Sequence, residues 1–433
     1  MSTYVTCTIV LVAMVAAFVI SSLLLKSPEM SLAITAAVAV CFGCGFGWTD
    51  SFSRVMVEGL FVNLDIALLF ITASVFVNIY SKTGAIDAVT RGLVSRVNNK
   101  WILMAVMGVF MLIPGALTGA GSISIFVLGA MVTTVVGAMG LSKKKTAAFV
   151  FMFAIMSAAC PPVNLWAMMI ASGSDIPYVG FELPLLLPLS ICAIFTIIFL
   201  GWGAKPKNKD EILAELPDVG KISAWRIITP LLVLIILFLA SNYLAHVIPT
   251  LGLPLMFVLS AIAAVICNPK KMGVKDYIQI INDTFEQIFP LIATVLSVGM
   301  LQNAMSATGV KGLIGITFIT LPVYLIYATV LFVAPFLQGA LNYGSAVVFG
   351  APLIFLFNSM GYDPKIAAVA LSLMFPIGDC LPPSRITGRL AIEATGYEGK
   401  YTSFLLAVLA PCLVLGLISL AMLIWPNSFT FLI

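Results

Sequence analysis

The 433-residue chain is 61% hydrophobic and 9% charged, and its mean hydropathy is +1.13. This composition excludes an ordinary soluble globular protein. The net charge of +4 gives no support to nucleic-acid binding, because the Lys and Arg residues flank apolar runs and form no basic stripe. Many apolar runs have the length that a helix needs to cross a bilayer. We therefore predict an all-α polytopic membrane protein.

Apolar runs predict the same order of elements in both halves of the chain. In the first half we predict spans at 4–25, 28–48 and 61–81, an interfacial helix at 84–98, a Gly-rich hairpin at 101–141, a broken helix at 146–172 and a span at 181–202. In the second half we predict spans at 226–247, 252–268 and 286–306, a short segment at 309–319, a hairpin at 320–360, a broken helix at 364–396 and a last span at 401–424. The domains are thus a first repeat at 1–204, a polar cytoplasmic connector at 205–225 and a second repeat at 226–433.

Short sequence landmarks recur at a nearly constant offset of 221 to 225 residues. Gly115-Ala116-Leu117 matches Gly339-Ala340-Leu341, and Pro161-Pro162 matches Pro382-Pro383. Three further matches follow the same order along the chain, which is unlike a chance coincidence. The pattern indicates an internal structural repeat.

The membrane orientation follows if each hairpin is re-entrant. Each half then crosses the membrane five times, so that the second half starts on the opposite side and the repeats have inverted topology. With the N-terminus outside, 17 of the 22 Lys and Arg residues fall on the inner side, as the positive-inside rule expects. We predict a multi-pass protein of the inner (plasma) membrane.

Two Gly-rich tips interrupt apolar runs at corresponding positions of the halves. They are GALTGAGS at Gly115–Ser122 and GALNYGS at Gly339–Ser345. Irregular backbone at membrane depth is tolerated where it lines a polar cavity or is buried in protein. Paired tips of this kind point to the substrate site of a transporter. The alternative is that these glycines only allow close helix packing.

Two prolines break a helix in each half, within CPPVN at Cys160–Asn164 and DCLPPSR at Asp379–Arg385. Proline lacks an N–H group and clashes with the preceding turn. Freed carbonyls can coordinate a cation, while the half-helix that follows presents N–H groups to an anion. The combination suits ion-coupled transport of an anion, and the alternative is a simple kink.

Three charged residues flank the second break inside the apolar region. Arg385 can pair with a substrate carboxylate or phosphate, and Asp379 can bind a cation or carry a proton. The alternative is a structural bridge between Asp379 and one arginine, with Arg389 reaching toward the cytoplasm. The candidate substrate-binding residues are Asn164, Ser384, Arg385, Thr387 and Arg389.

These motifs resemble the large membrane subunit (the DctM-like permease) of TRAP transporters, within the ion transporter superfamily. The similarity runs through Phe76–Arg96, Cys160–Gly173, Met360–Gly378 and Leu381–Gly396, together with the two tips. It implies an elevator mechanism, sodium coupling, and two partners, a small membrane subunit and an extracytoplasmic solute-binding protein. We predict no cofactor, and no metal other than the transported sodium. Carried over by position, it implies these cation-binding residues: Gly115, Thr118, Gly121, Ser122, Cys160, Pro161, Gly339, Asn342, Gly344, Ser345, Asp379 and Pro382.

The leading functional hypothesis is a sodium-coupled importer of a small organic anion such as a dicarboxylate. Charges at the second break depart from the family pattern, so a stand-alone carrier or exchanger of the same superfamily is the alternative. A membrane-embedded enzyme or a channel would need a catalytic cluster or a charged pore ring, and the sequence offers neither. We predict that the chain is not an enzyme.

Overall fold

The computed structural model describes residues 3–97, 99–206, 223–243, 251–270 and 272–433, and the ordered elements within these ranges are helices. Ten of the described helices are long and apolar enough to cross a membrane. The chain is therefore a polytopic membrane protein, as its composition predicts.

The described part of the first half contains ten helices. They are α1 (Thr3–Leu25), α2 (Pro28–Gly45), α3 (Phe52–Val62), α4 (Leu64–Lys82), α5 (Ala85–Arg96), α6 (Lys100–Thr118), α7 (Gly121–Ala138), α8 (Lys143–Ala159), α9 (Leu165–Gly173) and α10 (Glu182–Gly201). Helices α6 and α7 form the predicted first hairpin, and α8 and α9 are the two parts of the first broken helix.

The described part of the second half contains nine further helices. They are α11 (Ala224–Tyr243), α12 (Leu253–Cys267), α13 (Val274–Ala307), α14 (Val310–Ile319), α15 (Val323–Leu341), α16 (Ala351–Ser359), α17 (Pro364–Met374), α18 (Ile386–Thr395) and α19 (Tyr401–Ile424). A π-helical turn at Ala346–Gly350 precedes α16, and a 3-10 segment at Phe375–Cys380 continues α17. Helices α15 and α16 form the second hairpin, and α17 and α18 the second broken helix.

Two elements differ from the sequence-based prediction. Helix α3 was not predicted, because its polar start and mixed composition hide it from a search for apolar runs. The span predicted at 286–306 is the end of α13, which has 34 residues and starts at Val274. Its first turns are polar, so hydropathy alone misses them. Most of the predicted connector at 205–225 lies outside the described residues.

Two short helices form the interior of the fold. In α8 every residue from Thr146 to Ala159 is buried, and in α17 so is every residue from Ile366 to Met374. The outer helices instead expose large apolar side chains, such as Leu24 on α1 and Leu406 on α19. A helix that is apolar on all sides suits a lipid environment on its outer face. The first parts of the two broken helices, α8 and α17, therefore lie inside a shell of lipid-facing helices.

The second half of the described chain repeats the element order of the first. Gly84 and Gly309 both follow a Thr and both have positive φ, at 79° and 69°, where glycine is favoured. That the two halves are structural repeats, that these repeats are inverted, and that each hairpin turns back within the membrane, stay predictions.

Candidate functional site

The first break separates α8 from α9 by the segment Cys160–Asn164, in which the Pro161–Pro162 peptide bond is cis. The Asn164 side chain is fully buried. Its Oδ1 accepts a hydrogen bond from the N–H of Ala167 (3.0 Å), and its Nδ2 donates to the carbonyl of Ala159 (3.1 Å). Asn164 thus caps the start of α9 and satisfies the end of α8.

The second break has a different cap at the corresponding position. Arg385 lies 221 residues after Asn164 and precedes α18 with φ 50° and ψ 28°. This is the left-handed region, which an arginine rarely adopts. Within the described parts of the chain, no side-chain hydrogen bond caps α18. The Arg385 side chain therefore accepts no hydrogen bond from the first N–H groups of α18.

Each hairpin contacts its neighbouring break through a backbone hydrogen bond from a corresponding donor, with the acceptor shifted by one position between the halves. The N–H of Val163 donates to the carbonyl of Ala116 (3.0 Å), and the N–H of Ser384 donates to the carbonyl of Gly339 (3.1 Å). A Cβ atom at Gly339 would lie only 2.9 Å from the carbonyl oxygen of Pro382. Glycine is required there because the tip and the break approach so closely.

The first tip is packed tightly against α8. A side chain at Gly115 would collide with Ser157, and one at Gly121 would come within 2.5 Å of the carbonyl oxygen of Ala154. Thr118 is fully buried, and its hydroxyl donates to the carbonyl of Pro114 (2.8 Å). Close packing therefore explains these two glycines, whereas their predicted role in cation binding stays a prediction.

The remaining predicted residues of the first half lie at or near the break. Ser122 is half-buried in the first turn of α7, and Cys160 and Pro161 lie in the break itself. Beside the break is an apolar cavity of about 260 Å³, whose lining includes Pro161, Pro162 and Glu182. Apolar walls and a carboxylate do not suit an anionic ligand.

The second tip carries a network of polar side chains. Asn342 has φ 49° and ψ −133°, and Gly344 follows two residues later. The hydroxyl of Ser345 donates to Oε1 of Gln338 (2.7 Å). Nε2 of Gln338 donates to Oδ1 of Asp379 (2.9 Å). The predicted residues Ser345 and Asp379 thus belong to one network, linked by Gln338.

Asp379 is bound by neutral donors. Its Oδ2 accepts a hydrogen bond from the Thr387 hydroxyl (2.9 Å) on α18, and its Oδ1 accepts the one from Gln338. Among the described residues, neither Arg385 nor Arg389 forms an ion pair with this carboxylate. The alternative of a structural bridge between Asp379 and an arginine is therefore not seen among the described residues.

The two arginines occupy different surroundings. The Arg385 guanidinium lies 5.0 Å from the ring centre of Tyr401, and its buried Nε has no hydrogen-bond partner among the residues that the structure describes. Arg389, one turn further along α18, is exposed. Ser384 is half-buried and uses its backbone N–H on Gly339. Of the predicted anion-binding residues, Arg385 is the one with an unused buried donor.

Three hydrogen bonds join the two halves near the breaks. The Trp166 indole N–H donates to Oε1 of Gln338 (2.8 Å), and the Tyr343 hydroxyl donates to the carbonyl of Gly119 (3.2 Å). Nδ2 of Asn164 also donates to the hydroxyl of Ser372 (3.0 Å). The paired tips and breaks therefore form one continuous site.

The sequence-based prediction missed Gln338, Trp166 and Tyr343. A lone glutamine at the end of the apolar run of α15, next to a Gly-rich tip, was the one available signal. Trp166 and Tyr343 resemble ordinary core aromatics in the sequence. Their polar atoms gain a role only through contacts between distant parts of the chain.

The fold makes the chain a polytopic membrane protein with polar side chains buried between its helices, and the proteins to which it is similar are transporters. Residues 1–203 match the Na+/H+ antiporter family. Among solved structures, the chain is similar to the YdaH transporter of Alcanivorax borkumensis, described as having an unusual topology, with a TM-score of 0.61 and 13% identity over 89% of this chain and 90% of that one. It is also similar to MtrF of Neisseria gonorrhoeae, described within a class of antimetabolite efflux pumps, with a TM-score of 0.57 and 11% identity over 87% and 84% of the two chains. No curated protein sequence matches.

The resemblance to TRAP transporters is therefore wrong. Both the family match and the shared fold point to other transporters. Gly-rich tips and Pro-Pro breaks are short local patterns, and unrelated transporters can share them because similar backbone demands recur at a membrane-embedded site. The small membrane subunit and the solute-binding protein that the resemblance implied have no support.

Proposed function

We propose that this chain is a stand-alone, sodium-coupled carrier that takes up a small organic anion such as a carboxylate. Asp379 is the single observation that carries this proposal. It is a carboxylate between the apolar helices, bound by the neutral side chains of Gln338 and Thr387. Carboxylates at membrane depth are costly and usually functional. An acceptor-only carboxylate beside the hydroxyl oxygen of Thr387 suits a transported cation.

The second break is the proposed anion site. The buried Nε of Arg385 has no partner, and α18 begins beside it without a side-chain cap. A guanidinium and free helix N–H groups together suit a carboxylate. At the first break, by contrast, Asn164 already caps α9. Anion recognition therefore belongs to the second half.

Transport by an elevator motion is part of the proposal. In both halves a tip is bonded to its break through the backbone. Hydrogen bonds between the halves also link Trp166 to Gln338 and Tyr343 to Gly119. A unit joined in this way would carry the site across the membrane as one body, while the outer helices stay in place.

Sodium–proton exchange is a second candidate. The match of residues 1–203 to the Na+/H+ antiporter family favours it. Asp379 would then bind sodium and a proton alternately, and Arg385 would have no substrate to bind. The two candidates therefore differ in what Arg385 does.

Transport by purified protein in proteoliposomes tests both candidates. We expect a sodium gradient to drive uptake of at least one member of a panel of radiolabelled carboxylates, in the absence of any partner protein. Asp379→Asn should abolish the sodium dependence, and Arg385→Gln should abolish anion uptake. Arg54→Gln is the matched control, since Arg54 is exposed and its one ion pair within the described chain is with Glu58 on its own helix.

The outcomes separate the candidates. If sodium drives proton efflux but no carboxylate is taken up, and this efflux is unchanged in Arg385→Gln, the chain is a sodium–proton exchanger and the carrier proposal is refuted. Sodium-driven transport that survives in Asp379→Asn would refute both candidates. Monodisperse elution of each variant in size-exclusion chromatography excludes misfolding as the cause of a loss.

A further inference from the structure

The Gln338 side-chain amide makes three hydrogen bonds to other side chains of the site. Its Oε1 accepts from the Trp166 indole (2.8 Å) and the Ser345 hydroxyl (2.7 Å), while its Nε2 donates to Asp379 (2.9 Å). Gln338 is 2% exposed and Trp166 is fully buried. Water therefore does not replace these contacts.

The orientation of this amide is fixed by Trp166. An indole N–H can only donate, so the oxygen of Gln338 must face it and the NH₂ group must face Asp379. With the amide turned over, two donors would meet at Trp166 and two acceptors at Asp379. The Ser345 hydroxyl does not set the orientation, since a hydroxyl can both donate and accept.

We infer that Trp166 is a positioning residue that lowers the sodium affinity of the site by keeping the oxygen of Gln338 away from Asp379. The inference rests on the proposed function, in which Asp379 binds the coupling ion. While Trp166 holds the amide, a sodium ion at Asp379 meets the NH₂ group and has to displace its hydrogen bond. Without the indole N–H, the amide can rotate and its oxygen becomes an additional sodium ligand.

The hydrogen bond between Trp166 and Gln338 joins the two halves of the chain. Trp166 is on α9 of the first broken helix, whereas Gln338 is at the end of α15 in the second hairpin. A carrier must release its ion as well as bind it, so an overly strong site slows turnover. The indole therefore keeps the binding of sodium in the second half reversible.

Replacement of Trp166 by β-(3-benzothienyl)alanine tests the inference. This residue keeps the bicyclic shape, and hence the packing on Tyr343 at 5.0 Å between ring centres, but has sulfur in place of the N–H group. We expect half-maximal transport at an about tenfold lower sodium concentration, since a hydrogen bond to a charged group is exchanged for a direct ligand. The maximal rate should not rise.

A double variant shows whether Trp166 acts through Gln338. In Gln338→Leu no amide can turn, so removing the indole N–H in addition should leave the sodium dependence of that variant unchanged. A purely structural role of Trp166 would instead give effects that add. Trp166→Phe provides the same test if the unnatural residue lowers expression too far.

The outcomes distinguish this inference from the proposed function. An unchanged half-maximal sodium concentration in the benzothienyl variant, or additive effects in the double variant, overturns the role of Trp166 while Asp379 keeps its own. Sodium-driven transport that persists in Asp379→Asn overturns the proposed function, and the inference with it. All assays are run at one pH and compare monodisperse protein.

Discussion

Replacement of Arg385 by glycine should stabilise the protein while it removes anion transport. Arg385 has φ 50°, which costs a residue with a side chain about 1 to 2 kcal/mol, and glycine avoids this cost. Glycine also lowers the stability by about 0.5 to 1 kcal/mol, because it increases the conformational entropy of the unfolded chain. Relief of the buried, unpartnered Nε adds about 1 to 3 kcal/mol. Loss of the contact with Tyr401 subtracts about 1 to 2 kcal/mol.

These contributions sum to a net stabilisation of about 1 kcal/mol for Arg385→Gly. The assay is thermal unfolding in detergent micelles, followed by size-exclusion chromatography, beside anion uptake in proteoliposomes. Lys26→Gly is the matched control: Lys26 is exposed between α1 and α2 and has φ 53°. It should gain stability from the backbone alone and keep full transport.

The reasoning would be refuted by an Arg385→Gly variant that melts below the wild type while Lys26→Gly melts above it. That result would make the Arg385 side chain part of the folded framework. A variant that is more stable but inactive would show that the wild type tolerates backbone strain at Arg385 because transport requires this side chain.

Two further predictions concern the scaffold. Gly59→Ala should destabilise the protein by about 3 kcal/mol, since its Cβ would lie 2.6 Å from the backbone of Met300 on α13 and push the helices apart. Gly312→Ala is the control, because a Cβ atom at Gly312 meets open space. Equal melting temperatures of the two variants would contradict this prediction. Burial raises the pKa of the Asp87 carboxyl on α5, and the positive charge of Lys270 only partly opposes this shift. The folded state therefore binds a proton at Asp87 more readily than the unfolded state does. The stability of the protein should rise as the pH falls through this raised pKa. Asp87→Asn should therefore melt at a higher temperature than the wild type near neutral pH, with the difference shrinking in acid. A lower melting temperature of the variant at neutral pH would show that the ionised form is the favoured one.

Local sequence patterns predicted most helices and the places where they break. Residues 401–424 were predicted as a span and form α19, and the tips and breaks lie where Gly and Pro interrupt apolar runs. These features depend on neighbouring residues only, because a helix end or a break is decided within one or two turns. The polar starts of α3 and α13 were missed since they lack that apolar signal.

The chemistry of the site was decided by the tertiary structure. The sequence alone determined that Asp379 and Arg385 lie beside a break, but an ion pair between them was equally compatible with that spacing. Only packing placed Gln338 and Thr387 on the carboxylate and left the guanidinium on Tyr401. Trp166 reaches Gln338 across 172 positions of the chain, and hydropathy or motif spacing carries no information on such a contact. Side-chain hydrogen bonds between distant helices depend on how whole helices pack, which the sequence determines only through the complete fold.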